Sequence, residues 1–188
     1  MISDIRVLIF ALLTVLWLAE FKIIPSSKNT SLSGRGSFYL VLAGIVSSII
    51  FSIILNLNEV FLITGSIGEA IKNAGLIFYA GGVFLRYWSS ILLGENFSRN
   101  IRASKEQRLV SKGPYRFFRH PLYIALLIMV VSVSMFLQSP AGIVFSAAVM
   151  GAVLGIRIKE EEKLMEENIG QRYIAWKKKR YFILPYIF

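Results

Sequence analysis

Apolar residues fall along this chain in long unbroken runs rather than in short amphipathic repeats. Five runs, residues 5–24, 37–57, 70–93, 122–138 and 140–157, approach the length needed to cross a membrane. About 20 apolar residues span a hydrocarbon core of roughly 30 Å, so the pattern predicts an all-α polytopic membrane protein with about five transmembrane helices. The last two runs are short and are joined only by Gln138, Ser139 and Pro140. They predict a tight C-terminal helical hairpin, with Pro140 opening the returning helix, where its missing N–H is not needed. The fifth helix is expected to continue past the membrane through RIKEEEKLMEENIG and to stop at Gly170. Residues 1–188 read as one domain, with two spans within 1–60 and the chemistry-bearing motifs within 92–186.

Composition agrees with this pattern, at 55% hydrophobic residues and a mean hydropathy of +0.62. The net charge of +10 is unevenly placed, with seven Lys and Arg between 99 and 119 and eight between 157 and 180. The second loop instead offers Glu59 and Glu69 with only Lys72 beside them. Since loops rich in Lys and Arg stay cytoplasmic, the N-terminus is expected outside, and the basic loop and C-terminus in the cytoplasm. No nucleic-acid motif accompanies the charge, and attraction to anionic lipid accounts for it. The first run reads as an anchor rather than a cleaved signal, with Glu20 and Lys22 as charges at its exit. The absence of cysteine excludes thiolate chemistry, and one histidine cannot build a His-rich zinc site. The Gly151-to-Gly155 spacing permits close helix approach, within the chain or between copies.

Three segments bear chemistry: LLGENFS (92–98), LVSKGPYRFFRHPLY (109–123) and RIKEEE (157–162). Gly94 is expected to end the third helix, Gly113-Pro114 to turn, and His120-Pro121 to start the fourth helix with its free N–H groups toward the interface. Singly, these features have plain readings: Arg116 and Arg119 reach lipid phosphates, His120 caps a helix, and Tyr115, Phe117, Phe118 and Tyr123 form an interfacial belt. Arg157 and Glu161, four apart, share a helix face, and Lys163 is placed for Glu166 and Glu167. Adjacent Glu160, Glu161 and Glu162, with Glu162 facing Glu166, call for a cation from elsewhere. A positively charged ligand would supply one.

Together with RIKEEEKLMEENIGQRYIAW and the late Leu184-Pro185, these segments resemble the isoprenylcysteine carboxyl methyltransferase family, whose relatives include membrane phospholipid methyltransferases. The resemblance covers residues 92–186. It implies a cytoplasmic pocket for S-adenosylmethionine and methyl transfer to the carboxylate of a prenylated or lipid-like acceptor. By position it implies cofactor contacts from Arg102, Gln107, Leu109, Val110 and Tyr115, and from His120, Pro121, Leu122, Tyr123 and Glu161. It further implies that Arg157 holds the acceptor, making Arg157 and Glu161 the catalytic pair. Gln107 stands where the family often has histidine, Ala125 where it has glycine, Ile169 where it has phenylalanine and Trp176 where it has tyrosine. No departure removes a charged group. Three alternatives stay open: a phospholipid amine methyltransferase using Glu161 or His120 as proton acceptor, an NADPH-dependent reductase of the sterol type that shares Arg-His-Pro, and a non-catalytic lipid-binding protein.

Overall fold

The computed structural model describes residues 5–24, 35–94, 97 and 109–182. It contains α1 (Ile5–Ile23), α2 (Arg35–Leu57), α3 (Gly65–Leu93), a 3-10 turn (Gly113–Arg116), α4 (Pro121–Phe136), α5 (Pro140–Ile169) and α6 (Gln171–Lys177). The chain is a polytopic helical membrane protein. Residues 36–57, 65–93 and 140–169 form helices long and apolar enough to cross a bilayer. α4 has 16 residues, only about 24 Å at 1.5 Å per residue. α5 has 30 residues, about 45 Å, so its polar part beyond residue 157 projects past the apolar layer.

α4 is apolar all round because it is enclosed, as such helices are. Ala125, Leu126, Met129 and Val130 are buried along it against Val41 of α2, Tyr79 and Val83 of α3 and Met150 and Leu154 of α5. Close approach of α3 needs glycine. A Cβ on Gly82 would lie 2.5 Å from Met129 Cγ, and one on Gly75 would lie 2.7 Å from the Phe136 backbone nitrogen. At the far end from the basic segments, Ser134 Oγ lies 2.8 Å from both Ser52 Oγ and Ser146 Oγ, linking α2, α4 and α5. Ser139 caps α5 by accepting from the Gly142 N–H at 3.1 Å, and Pro140 follows as the sequence predicts.

α1 packs on α3: Phe10 stacks between Tyr79 and Phe136, with ring centroids 4.3 and 4.5 Å away. Two sequence expectations change. α3 begins at Gly65, so Glu69 is a helical residue, and it accepts from Arg6 Nη1 at 2.6 Å instead of standing in a loop. Gly151 and Gly155 have nothing within 4 Å of a notional Cβ among the described residues, so their spacing serves no close approach there.

At the basic end the chain folds back on itself. Gly170, at φ +65°, turns α5 into α6. The strand-like pairing that follows ties residue 181 to the segment before α4: the Arg119 N–H donates to the Tyr181 carbonyl at 3.0 Å and the Tyr181 N–H to the Phe117 carbonyl at 2.9 Å.

Candidate active site

Pro121 occupies the first turn of α4, with His120 as its N-cap in a non-helical conformation. This start sets the head of α4 on the wall of a cavity of about 240 Å³ at the basic end. Its wall includes Tyr115 from the 3-10 turn, His120, Leu122 and Tyr123 from the head of α4, and Arg157 and Glu161 from α5. Leu109 and Val110 line it too. Pro121 is buried at the helix start and is not on the wall. Arg102 and Gln107 lie outside the described residues.

Arg157 and Glu161 are linked through a phenol. The Tyr123 hydroxyl donates to Glu161 Oε2 at 2.6 Å and accepts from Arg157 Nε at 3.0 Å. Arg157 Nη1 also donates to Ser37 Oγ of α2 at 3.3 Å. Only 4% of Arg157 is exposed, and a guanidinium so enclosed needs nearby negative charge and oxygen acceptors. His120 Nδ1 stands 4.0 Å from Glu161 Oε2, so α4 and α5 bring the single histidine and this carboxylate to one place.

Glu162 points elsewhere, because one residue rotates the side chain about 100° around a helix. Its Oε1 lies 3.2 Å from His120 Nε2 and 3.4 Å from Arg119 Nη1, and its Oε2 accepts from Lys177 Nζ at 3.1 Å. Lys177 also binds Glu166, in place of the Lys163 that the sequence suggested. Burial pushes the Glu162 carboxyl up, but hydrogen bonds and charge from His120 and Lys177 outweigh it and hold the group at about 2. The acidic run thus finds cations within the protein. The sequence suggestion that a positively charged ligand would supply the cation is left to Glu161, the member on the cavity wall.

Arg119 is likewise no lipid hook: its Nε donates to the carbonyls of Lys177 and Arg180 at 3.1 and 3.0 Å. Trp176 Nε1 donates to the Val110 carbonyl at 3.1 Å, and Arg180 Nε to the Tyr115 carbonyl at 2.7 Å. These bonds hold residues 176–181 across the 3-10 turn and the head of α4 as a roof from which Trp176 reaches the cavity wall. The Tyr115 hydroxyl has no hydrogen-bond partner among the described residues and is buried. Burial, with the Glu161 charge, pushes its pKa well above the usual phenol value.

Sequence reasoning missed the contribution of α1 and α2. Trp17, Phe21, Phe38 and Leu42 supply an apolar side of the cavity, and Arg86 of α3 supplies another guanidinium. Arg86 is bonded through Nε to Glu20, which is fully buried and is not an exit charge. The missed signal was an arginine within the apolar run from Leu76 to Leu93, since a charge at membrane depth needs a partner.

The profile of the isoprenylcysteine carboxyl methyltransferase family matches residues 75–167. "Protein-S-isoprenylcysteine O-methyltransferase A" of Arabidopsis thaliana is 30% identical over 132 residues, covering 69% of this chain and 67% of the relative. "Protein-S-isoprenylcysteine O-methyltransferase B" of the same plant is 31% identical over 108 residues, covering 56% of this chain and 55% of the relative. The chain therefore spans between about half and two thirds of these relatives' lengths. The solved structure of a eukaryotic intramembrane Ras methyltransferase, an isoprenylcysteine carboxyl methyltransferase, superimposes with a TM-score of 0.70 at 21% identity, covering 100% of this chain and 70% of that one. This likeness shows a shared fold.

Proposed function

Because this chain belongs to the isoprenylcysteine carboxyl methyltransferase family, we propose that it transfers a methyl group from S-adenosylmethionine to the carboxylate of a prenylated or other lipid-like acceptor. The observation that supports this most is the Glu161–Tyr123–Arg157 chain on a cavity wall that also has an apolar side. It sets a carboxylate suited to a cationic guest near a guanidinium suited to an anionic one. When bound, S-adenosylmethionine supplies a methyl group carried on a positively charged sulfonium.

The residues present fit that guest. Glu161 offers negative charge, the buried Tyr115 hydroxyl lacks a partner among the described residues, and His120, Leu122 and Tyr123 form the adjoining wall with Leu109 and Val110. Arg102 and Gln107 would complete this set. On the acceptor side, Arg157 would hold the carboxylate by charge-assisted hydrogen bonds. A carboxylate is already ionised near neutrality, with a reference pKa of about 4, so no residue need serve as base. Val41, Ile45 and Leu126 keep that side apolar, and a water-poor wall favours a reaction in which opposite charges cancel. Residues 1–188 act as one unit in this reading, with 92–186 carrying the catalytic groups and the helices within 1–60 walling the acceptor. The basic end faces the cytoplasm and the N-terminus lies outside.

The test is calorimetry of the purified chain with S-adenosylmethionine and its demethylated product, followed by transfer of labelled methyl in native lipid. Binding by the wild type and its loss in Glu161→Ala, with the fold kept, is the expected result. Retained binding in that variant removes Glu161 from the site, and turnover that rises steeply between about pH 6 and 8 replaces the carboxylate acceptor by an amine.

A further inference from the structure

α1 lies outside the residues matched by the family profile, yet it carries a fully buried carboxylate next to the cavity. Glu20 has 0% side-chain exposure and pairs with Arg86 of α3, whose side chain is 12% exposed and lines the cavity. Two neutral bonds already join these helices: Thr14 Oγ1 to the Tyr79 hydroxyl at 3.0 Å, and the Tyr87 hydroxyl to the Leu16 carbonyl at 2.5 Å. An ion pair is a poor choice for further pinning, since desolvation offsets most of its attraction and apolar pairs of similar size often stabilise more. A buried charge pair between two apolar helices, beside a cavity, points to use in binding or transfer.

The edge of the guanidinium that is used supports that conclusion. Glu20 takes Nε, and among the described residues Arg86 makes no other hydrogen bond. Both Nη groups remain to donate, in the paired geometry that suits a carboxylate. Trp17, one helical turn before Glu20 on the same face of α1, also lines the cavity.

We propose that Glu20 is a positioning residue: from α1 it clamps the Nε edge of Arg86 and so presents the Nη edge to the anionic group of the membrane-borne acceptor. This rests on the carboxylate-acceptor reading above. The pair makes α1 part of the site and no mere anchor. It also gives Arg86 a fixed direction that a long, otherwise flexible side chain would lack.

The test uses the full chain in lipid nanodiscs, with S-adenosylmethionine and N-acetyl-S-farnesylcysteine as the probe acceptor. Glu20→Gln keeps the shape and removes the charge. It is expected to weaken acceptor affinity by calorimetry, and to raise acceptor KM, by about tenfold or more, the scale of a charge-assisted hydrogen bond. Cofactor affinity should stay within about twofold, and in an Arg86→Gln background Glu20→Gln should add no more than about twofold. If Glu20→Gln does not fold, Glu20→Asp keeps the charge on a shorter arm and should raise acceptor KM over the wild type by about threefold with cofactor affinity unchanged, and an unchanged acceptor KM in that variant overturns the proposal. A merely structural Glu20 would lower thermal stability and both affinities together, and that result overturns the proposal. So does an unchanged acceptor KM, or an effect fully additive with Arg86→Gln. A wild type that binds cofactor but leaves the probe unmethylated overturns the acceptor reading and the proposal with it, whereas a methylating wild type with a neutral Glu20→Gln overturns the proposal alone.

Discussion

Glu161 and Glu162 are consecutive and chemically identical, yet they belong to different parts of the molecule. Glu161 lies on the cavity wall, where its hydrogen bond comes from a phenol that also receives Arg157. Glu162 is enclosed by Lys177, Arg119 and His120 and holds the roof on the head of α4. The comparison separates two uses of negative charge. One carboxylate is surrounded by the protein's own cations and contributes to the fold, while the other retains a side toward the space that a guest would fill.

The pair of alanine variants tests this division most strongly. Glu161→Ala should lower cofactor affinity by about 100-fold or more and lower the melting temperature less than Glu162→Ala does, its remaining cost being the Tyr123–Arg157 link that loses its carboxylate. The affinity loss corresponds to roughly 3 kcal/mol, the value of charge-assisted contacts to a desolvated guest. Glu162→Ala should do the reverse, destabilising the fold by on the order of 3 kcal/mol in thermal unfolding because it strands buried cations. Equal effects from both variants would erase the distinction.

Arg157→Lys extends the comparison across the cavity wall. Lysine keeps the charge but cannot reproduce the planar set of donors to Tyr123 and Ser37. Acceptor KM should rise by about tenfold, with a smaller change in cofactor affinity, as steady-state rates and calorimetry will show.

Acid sharpens the same division through Glu162. Its folded value of about 2 lies below the ordinary 4.5, so its contribution is fully present above the ordinary value. It is lost as pH falls from about 4.5 toward 2, where proton uptake favours the unfolded chain. Glu162→Gln lacks that contribution from the outset, and its melting temperature should fall less over this interval than that of the wild type. The smallest effect belongs to Glu160, the exposed member of the run. Glu160→Ala should change stability by no more than about 0.5 kcal/mol and leave both affinities intact.

The apolar runs made the helices legible, and the caps at Gly94, His120-Pro121 and Gly170 fall where the sequence places them. Residue spacing also put Arg157 and Glu161 on one face of α5. What the sequence did not reveal was which neighbour each charge meets. Glu20 meets Arg86 across 66 positions, and Glu162 meets Lys177 across 15. The first contact depends on how α1 packs on α3 and the second on the turn at Gly170 that folds α6 back on α5, and local periodicity carries no record of either. The apolar residues of α1 and α2 were equally silent, because a side chain facing lipid and one facing a cavity obey the same composition rule.

The roof has a consequence for biogenesis. Arg119 and His120 find their partners in Glu162, Lys177, Arg180 and Tyr181, all supplied by later parts of the polypeptide. During synthesis, α1 to α4 can enter the bilayer well before those residues leave the ribosome. Insertion and completion of the chamber are therefore separable, and a released chain truncated after Ile169 would keep every long apolar helix while its chamber lay uncovered.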